Sequence, residues 1–315
     1  MIKVGVIGTG KWGINHLRVF SELDCKLVGL ADIDKTKKEI ADNYHIKFFT
    51  NYKDLLPLVD AVSVVVPTDL HYKVVKDCLN AKKHVLVEKP ITNDSKTAEE
   101  LVQLAKEKGV TLAVGYLFRF NSAVNVVKEE IKKIGDLQYI TARYIHSNKP
   151  PRKDCGVVFN FGIHLIDILN YVLDRKPTKI FCEKINYLSD EREDCAIINL
   201  VYDNFMANLE MSWFHPLKKR DMWIIGSRFK LYVDLLEQTI TKYPIEISVD
   251  KTKSGKPIEM PLEKNEPLKD ELKAFCNCIE NKSYNFKGNE EIMTTKICEK
   301  ALESAKQKKE LMIDE

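Results

Sequence analysis

Short apolar runs alternate with amphipathic stretches through the first 117 residues. Ile2–Ile7 is apolar, Lys11–Leu23 has helical spacing, and Lys26–Ala31 is apolar again. Lys35–Asn43 reads as helix and His45–Phe49 as a short strand. Ala61–Val66 is an unbroken apolar run stopped by Pro67, the pattern of a strand covered on both faces. Asp69–Ala81 then reads as helix, His84–Val87 as strand, Ser95–Lys108 as amphipathic helix, and Thr111–Gly115 as a final strand. Strands alternating with helices predict a doubly wound parallel sheet. Ligands on such sheets bind beyond the carboxyl ends of the strands.

After residue 117 the pattern changes. Ala123–Ile134 reads as a helix ended by Gly135. Leu137–His146, Lys179–Tyr187, Cys195–Tyr202, Phe205–Trp213, Met222–Ile225, Lys230–Leu235 and Ile245–Val249 have β character, with tight turns such as Asp203-Asn204 between them. One helix, Gly162–Leu173, interrupts this series, and Leu268–Glu280 and Asn289–Lys308 are helices that close the chain. The expected fold is α/β. A doubly wound domain covers residues 1–117, and an α+β domain with an open, mainly antiparallel sheet covers 118–315. The last helix has an apolar face of Ile292, Ile297, Ala301 and Leu302, and should pack back on an earlier element.

Composition narrows the choice of partner. The 315 residues carry 49 basic and 46 acidic side chains, a net charge of +3, with lysines spread among glutamates. That balance gives no electrostatic argument for nucleic acid or a membrane surface. No apolar run is long enough to span a bilayer, and the N-terminus enters a strand at once, so no signal peptide is expected. Eight scattered cysteines form no CxxC pair, which predicts reduced thiols, a cytoplasmic protein and no metal site.

Candidate chemistry begins at Gly8-Thr9-Gly10-Lys11-Trp12-Gly13, between the first strand and first helix. Three glycines there allow a sharp turn, close approach of backbone N–H groups to a pyrophosphate, and tight helix–strand packing. Asp32 ends the next strand, where a carboxylate accepts from both ribose hydroxyls and repels a 2′-phosphate, so NAD is expected over NADP. Pro67, Thr68 and His71 follow the third long strand. Thr68 is placed to cap the following helix and face the cofactor, and His71 to contact the cofactor or to pack. Glu88-Lys89-Pro90 follows the next strand, with Glu88 and Lys89 expected at the cofactor site, Lys89 also able to orient a substrate hydroxyl or share its proton, and Pro90 able to lock the loop through a cis peptide. His164 lies in the first turn of a helix whose Leu165, Ile168 and Leu169 face inward, with Asp167 three residues on. Its ordinary pKa suits proton removal near neutral pH. Arg119 and Asn121 are placed either to meet substrate polar groups or to form a junction salt bridge and cap.

Taken together, Gly8–Gly13, Pro67-Thr68-x-x-His71, Glu88-Lys89-Pro90 and Gly162-x-His164-x-x-Asp167 resemble the Gfo/Idh/MocA oxidoreductases, the glucose–fructose oxidoreductase and inositol dehydrogenase group. The resemblance covers essentially the whole length and implies a Rossmann domain that binds NAD. It implies that Lys89 and His164 flank the substrate carbon that loses a hydride. Members often carry aspartate four residues before the histidine, where this chain has Asn160. An amide orients the ring but supplies no charge to an imidazolium, which shifts proton transfer toward Lys89. The segment 149–157 resembles a loop of the nucleotide-sugar 3-dehydrogenases of the family, with Arg152 and Lys153 placed either to hold a diphosphate or to form a flexible cationic loop with no such role. The resemblance thus implies a sugar dehydrogenase acting at C3 of UDP-N-acetylglucosamine or a related UDP-sugar. A free polyol such as inositol, and an inactive NAD-sensing regulator, are the alternatives. A homodimer or homotetramer through the second sheet is expected.

Overall fold

The computed structural model describes residues 1–147, 154–188, 190–247, 249–281, 286 and 288–313. The chain forms two compact units, Met1–Leu117 with Glu266–Thr295, and Phe118–Asn265 with Lys296–Glu315.

The first unit runs β1 (Lys3–Ile7), α1 (Lys11–Glu22), β2 (Lys26–Ala31), α2 (Lys38–Asn43), β3 (Lys47–Phe49), α3 (Tyr52–Leu55), β4 (Ala61–Val64), α4 (His71–Asn80), β5 (His84–Glu88), α5 (Ser95–Lys108) and β6 (Leu112–Gly115). Its six strands lie in the order β3-β2-β1-β4-β5-β6. Every pair in this sheet is parallel, so the carboxyl ends share one edge. Apolar runs on β1, β4 and β5 are buried along their length because helices cover both faces. The short helix α3 follows from Asn51, whose side chain accepts from Lys53 N; no hydrophobic period marks so short a turn.

The second unit begins with α6 (Ser122–Glu130), β7 (Leu137–Ile145) and α7 (Ile163–Leu173). Strands follow as β8 (Lys179–Ile185), β9 (Cys195–Val201), β10 (Met206–Ser212), β11 (Lys219–Gly226), β12 (Lys230–Asp234), β13 (Thr239–Tyr243), β14 (Ile245–Ile247), β15 (Thr252–Ser254) and β16 (Ile258–Glu259). The chain closes with α8 (Pro267–Asn281), α9 (Asn289–Gln307) and β17 (Leu311–Met312). Nine strands form one open sheet in the order β16-β13-β12-β11-β7-β10-β9-β8-β17. Its pairs are antiparallel except β10 with β7, which is parallel. One face is buried through Ile140, Ala142, Ile198, Leu200, Leu209 and Met211. The Ile245–Val249 run differs from expectation: β14 pairs with β15 in a separate ribbon and adds nothing to the large sheet.

Residues 266–295, expected in the second domain, group with the first compact unit. Leu268, Leu272, Phe275 and Cys276 form one stripe of α8 and join the core of Ile2, Val4, Leu17 and Phe20. A helical period shows that a helix has an apolar face but not which sheet the face covers. In the second unit, the far end of α9 reaches β8, where Ser304 Oγ accepts from Cys182 N at 3.1 Å. The structure places no disulfide on any of the eight cysteines. Among the described residues, no helix is long and apolar enough to cross a membrane, and no cluster of three His, Cys, Asp or Glu side chains could hold a metal.

Candidate active site

β1 ends at Ile7, and Gly8 turns the chain with φ +92°, where a Cβ would lie 2.7 Å from Val65 O. At Gly13 a Cβ would stand 2.0 Å from Gly8 O, so α1 starts against the turn itself. Gly10 is the opposite case, with open space where its Cβ would point. Gly10 precedes α1 and no side chain caps the helix. The first N–H groups of a 12-residue helix, facing open space over a glycine turn, fit a diphosphate. Lys11 and Trp12 are exposed on the first turn, and Thr9 is buried. Asp32 follows β2 directly and leans to the turn. Its Oδ2 accepts from Thr9 N at 2.7 Å and Thr9 Oγ1 at 2.5 Å, and its Oδ1 from Asp34 N at 3.0 Å. Ile33 beside it is exposed. The donor set and the open cradle fit a dinucleotide whose ribose meets a carboxylate.

The strand-end loops place His71 and Thr68. His71 is buried, with Nδ1 2.7 Å from Pro90 O and Nε2 2.9 Å from Val66 O. Its ring nitrogens lie against backbone carbonyls, so it ties the Pro67 loop to the Pro90 loop, the packing role that was one of its two alternatives. Thr68 is buried in a 3-10 turn, Thr68–Leu70, and neither that turn nor α4 has a side-chain cap. Pro67 precedes it and is exposed.

Glu88, expected to line the cofactor site, turns inward instead. Its Oε1 lies 3.1 Å from His16 Nε2, and its Oε2 accepts from Lys89 N at 3.2 Å. Burial pushes its pKa up, but the hydrogen bond to His16 and the charges of His16 and Lys89 outweigh this and leave it below the usual carboxylate range. Lys89 is 8% exposed, and the Lys89–Pro90 peptide is cis, as the sequence had suggested. His16 was not singled out from sequence. The available signal was a polar residue on the buried stripe Gly13, His16, Leu17, Phe20 of α1.

In the second unit, a π turn, Val158–Gly162, leads into α7. Asn160 sits on that turn, half-buried, and His164 in the first turn of α7, 5% exposed. Rings fix the imidazole. Phe118 meets it edge-on at 5.2 Å and Tyr144 stacks on it at 5.7 Å, while Tyr144 also stacks on Phe161 at 4.2 Å. Burial raises the Tyr144 pKa, and Arg220 lies over its ring at 4.3 Å. Glu193 holds the start of this segment, its Oε1 accepting from Val158 N and its carbonyl from Val157 N, both at 3.0 Å. A Cβ on Gly156 would strike the Glu193 carboxyl at 2.1 Å.

Arg119 and Asn121 take the structural side of their alternatives. Arg119 grips Asp167, with Nη2 2.6 Å from Oδ1 and Nε 3.1 Å from both oxygens. Asn121 is buried as the N-cap of α6. Its Oδ1 accepts from Ala123 N at 3.0 Å and its Nδ2 donates to Leu235 O at 3.2 Å, which is the cap that was one of its two alternatives. Arg152 and Lys153 lie outside the described residues. Lys89 belongs to the first unit and His164 to the second.

Residues 2–116 match the oxidoreductase family with an NAD-binding Rossmann fold, and residues 125–232 match the C-terminal domain of the same family. The UDP-N-acetylglucosamine 3-dehydrogenase of Acidithiobacillus ferrooxidans is 27% identical over 243 residues, 77% of each chain. Its solved structure superposes with a TM-score of 0.87 at 25% identity, covering 97% of this chain and 98% of that one. The myo-inositol 2-dehydrogenase of Thermotoga maritima is 26% identical over 58% of each chain. A levoglucosan dehydrogenase solved with NADH shares the fold, with a TM-score of 0.88 at 14% identity over 100% of this chain and 99% of that one. The chain belongs to the Gfo/Idh/MocA family of NAD-binding oxidoreductases.

Proposed function

We propose that this chain is an NAD-dependent dehydrogenase that oxidises a secondary ring hydroxyl of a sugar to a ketone. C3 of UDP-N-acetylglucosamine or a related UDP-sugar is the first candidate. The observation that carries the substrate choice is the likeness to a UDP-N-acetylglucosamine 3-dehydrogenase over nearly the full length of both chains. Asp32 favours NAD, because a carboxylate accepts from ribose hydroxyls and repels a 2′-phosphate. The uncapped start of α1 takes the diphosphate.

Bound NAD supplies the hydride acceptor. The residues of this chain handle the hydroxyl: Lys89 donates a hydrogen bond to the substrate oxygen, and His164 removes its proton. The C–H electron pair leaves with the hydride, the O–H proton goes to the imidazole, and the C=O bond forms. Asn160 orients the substrate or the ring, and Arg152 meets the diphosphate. Oxidation of a free polyol is the second reading, supported by the inositol dehydrogenase among the relatives. An NAD-sensing regulator without turnover is disfavoured because Lys89 and His164 are both present. We also assign the outer face of the large sheet to a second copy of the chain, since Tyr139, Met206 and Ile197 are exposed there on adjacent strands.

NADH absorbance tests the reaction, with UDP-N-acetylglucosamine and myo-inositol offered separately. Turnover on the nucleotide sugar is expected, with kcat about 10²–10⁴-fold lower in Lys89→Ala and in His164→Ala. Turnover unaffected by both substitutions would remove these residues from the chemistry.

A further inference from the structure

Two consecutive rungs of the β7–β11 ladder place an arginine on each face of the large sheet. On the outer face Arg143 stands opposite Asp221, which accepts from its Nε at 2.9 Å and its Nη2 at 2.7 Å. On the buried face Arg220 stands opposite Tyr144, and no carboxylate among the described residues pairs with it. The half-buried guanidinium lies over the Tyr144 ring at 4.3 Å, and its Nε is buried with no hydrogen-bond partner among the described residues. The acids around the His164 segment are committed elsewhere. Glu193 accepts from Val158 N, Asp194 Oδ2 accepts from Tyr187 N and Leu188 N, and Asp167 is gripped by Arg119. Packing accounts for the ring contact but not for the bare nitrogen. A guanidinium gains by lying on an aromatic face, yet a buried N–H without an acceptor costs stability. A methionine would cover Tyr144 without that cost. Tyr144 also stacks on His164 at 5.7 Å, so two ring contacts link the guanidinium to the imidazole, a span that a hexose and its phosphate can bridge. All of these residues belong to the second unit.

We propose that Arg220 binds an oxyanion of the substrate, a phosphate or carboxylate carried by the sugar whose hydroxyl meets His164. The inference rests on the reading of His164 as the group that meets the substrate hydroxyl. It deepens that reading by naming the substrate class, an anionic sugar derivative and not a free polyol. A guanidinium suits the task because it is always charged and offers a planar fork of donors to the paired oxygens of a phosphate or carboxylate. Tyr144 holds the fork from below through its ring, and the charge of Arg220 acts on the Tyr144 hydroxyl against the effect of burial. The bound oxyanion supplies the counter-charge that Asp221 supplies to Arg143 on the other face. Arg220 is thus a specificity-determining residue, and Tyr144 is its positioning residue.

Isothermal titration calorimetry of the whole protein with saturating NADH reads binding without turnover, and the cofactor keeps a probe's diphosphate off the glycine turn. UDP-N-acetylglucosamine, glucuronate and N-acetylglucosamine supply a phosphate, a carboxylate and a neutral arm. Arg220→Met is expected to raise the Kd of at least one charged sugar about tenfold or more, and that of N-acetylglucosamine by less than about threefold. Loss on UDP-N-acetylglucosamine alone assigns the phosphate, and loss on glucuronate alone assigns the carboxylate. Arg220→Lys, which keeps the charge and loses the fork, should fall between wild type and Arg220→Met. Equal loss for charged and neutral sugars, no loss for either charged sugar, or a wild type that binds neither charged sugar would each overturn the proposal. If Arg220→Met does not fold, salt decides on the wild type: charged sugars no more salt-sensitive in binding than N-acetylglucosamine would overturn it. Failure of every sugar to reduce NAD would end the dehydrogenase reading, while Arg220 is judged on the calorimetry alone.

Discussion

Thr9 bonds to Asp32 twice, through its N–H at 2.7 Å and its hydroxyl at 2.5 Å. The carboxylate proposed to select the cofactor is thus oriented by the glycine turn itself. Thr9→Ala keeps the backbone bond and loses the other. A single hydrogen bond is worth about 1 kcal/mol, so the KM for NAD should rise about fivefold with kcat unchanged. Asp32→Ala should raise the KM for NAD about tenfold or more and reduce the preference over NADP; steady-state kinetics with both cofactors checks this, and an unchanged preference would remove Asp32 as the selector. Glu193 gives a pH prediction. Burial raises its pKa, so the folded state holds the proton more tightly than the unfolded state does. Its stabilising contribution is therefore complete below the ordinary carboxylate range and is lost as pH rises through the folded-state value. Glu193→Gln keeps an acceptor for Val158 N–H and buries no charge. Its Tm should exceed wild type by about 2–4 °C at pH 8, with the gap closing toward pH 5, by calorimetry. A gap that widened in acid would show that the carboxylate is the favoured buried form.

The helix α1 shows how far an element can be read from its own residues. Gly8, Gly10, Gly13 and Asp32 were legible because strand, turn, helix and second strand are contiguous, and each glycine answers to a contact inside that span. Sequence leaves His71 and Asn121 between two roles each, because partners that hold them, Pro90 O and Leu235 O, are 19 and 114 residues away in sequence. Glu88 stands between the two cases: its place after β5 was readable, but its inward turn depends on His16, 72 residues earlier. The π turn at Val158–Gly162 precedes and meets the helix expected over Gly162–Leu173, and a single widened turn leaves no periodic mark. The contrast between Gly10 and Gly13 tests the turn as a unit. Gly13→Ala places a methyl 2.0 Å from a backbone oxygen and should destabilise the protein by about 2 kcal/mol or more, seen in urea denaturation. Gly10→Ala meets no protein atom and should leave stability within about 0.5 kcal/mol, while raising the KM for NAD if the diphosphate lies over that turn.

At the scale of the whole molecule, the first unit is completed by a segment that begins 149 residues after Leu117 in sequence. Helix α8 puts Leu268, Leu272, Phe275 and Cys276 against Leu17 and Phe20 of α1, and Phe275 is fully buried. The rim pairs of α8 with α1, Lys269 with Glu22 at 2.8 Å and Arg18 with Glu266, are exposed and contribute little. The apolar stripe therefore carries the attachment. Removing one buried phenyl ring of this kind costs about 3–5 kcal/mol. Phe275→Ala should accordingly cut stability by that amount, and Lys269→Ala by less than about 1 kcal/mol, in chemical denaturation followed by tryptophan fluorescence and circular dichroism. The consequence for the cofactor is direct, because α1 is the helix whose start is proposed to take the diphosphate. Loosening α8 should weaken NAD binding in Phe275→Ala before global unfolding sets in, although α8 contributes no residue to the glycine turn. Equal NAD affinity in wild type and Phe275→Ala under native conditions would show that α1 holds its place without α8, and would return residues 266–295 to a purely structural role.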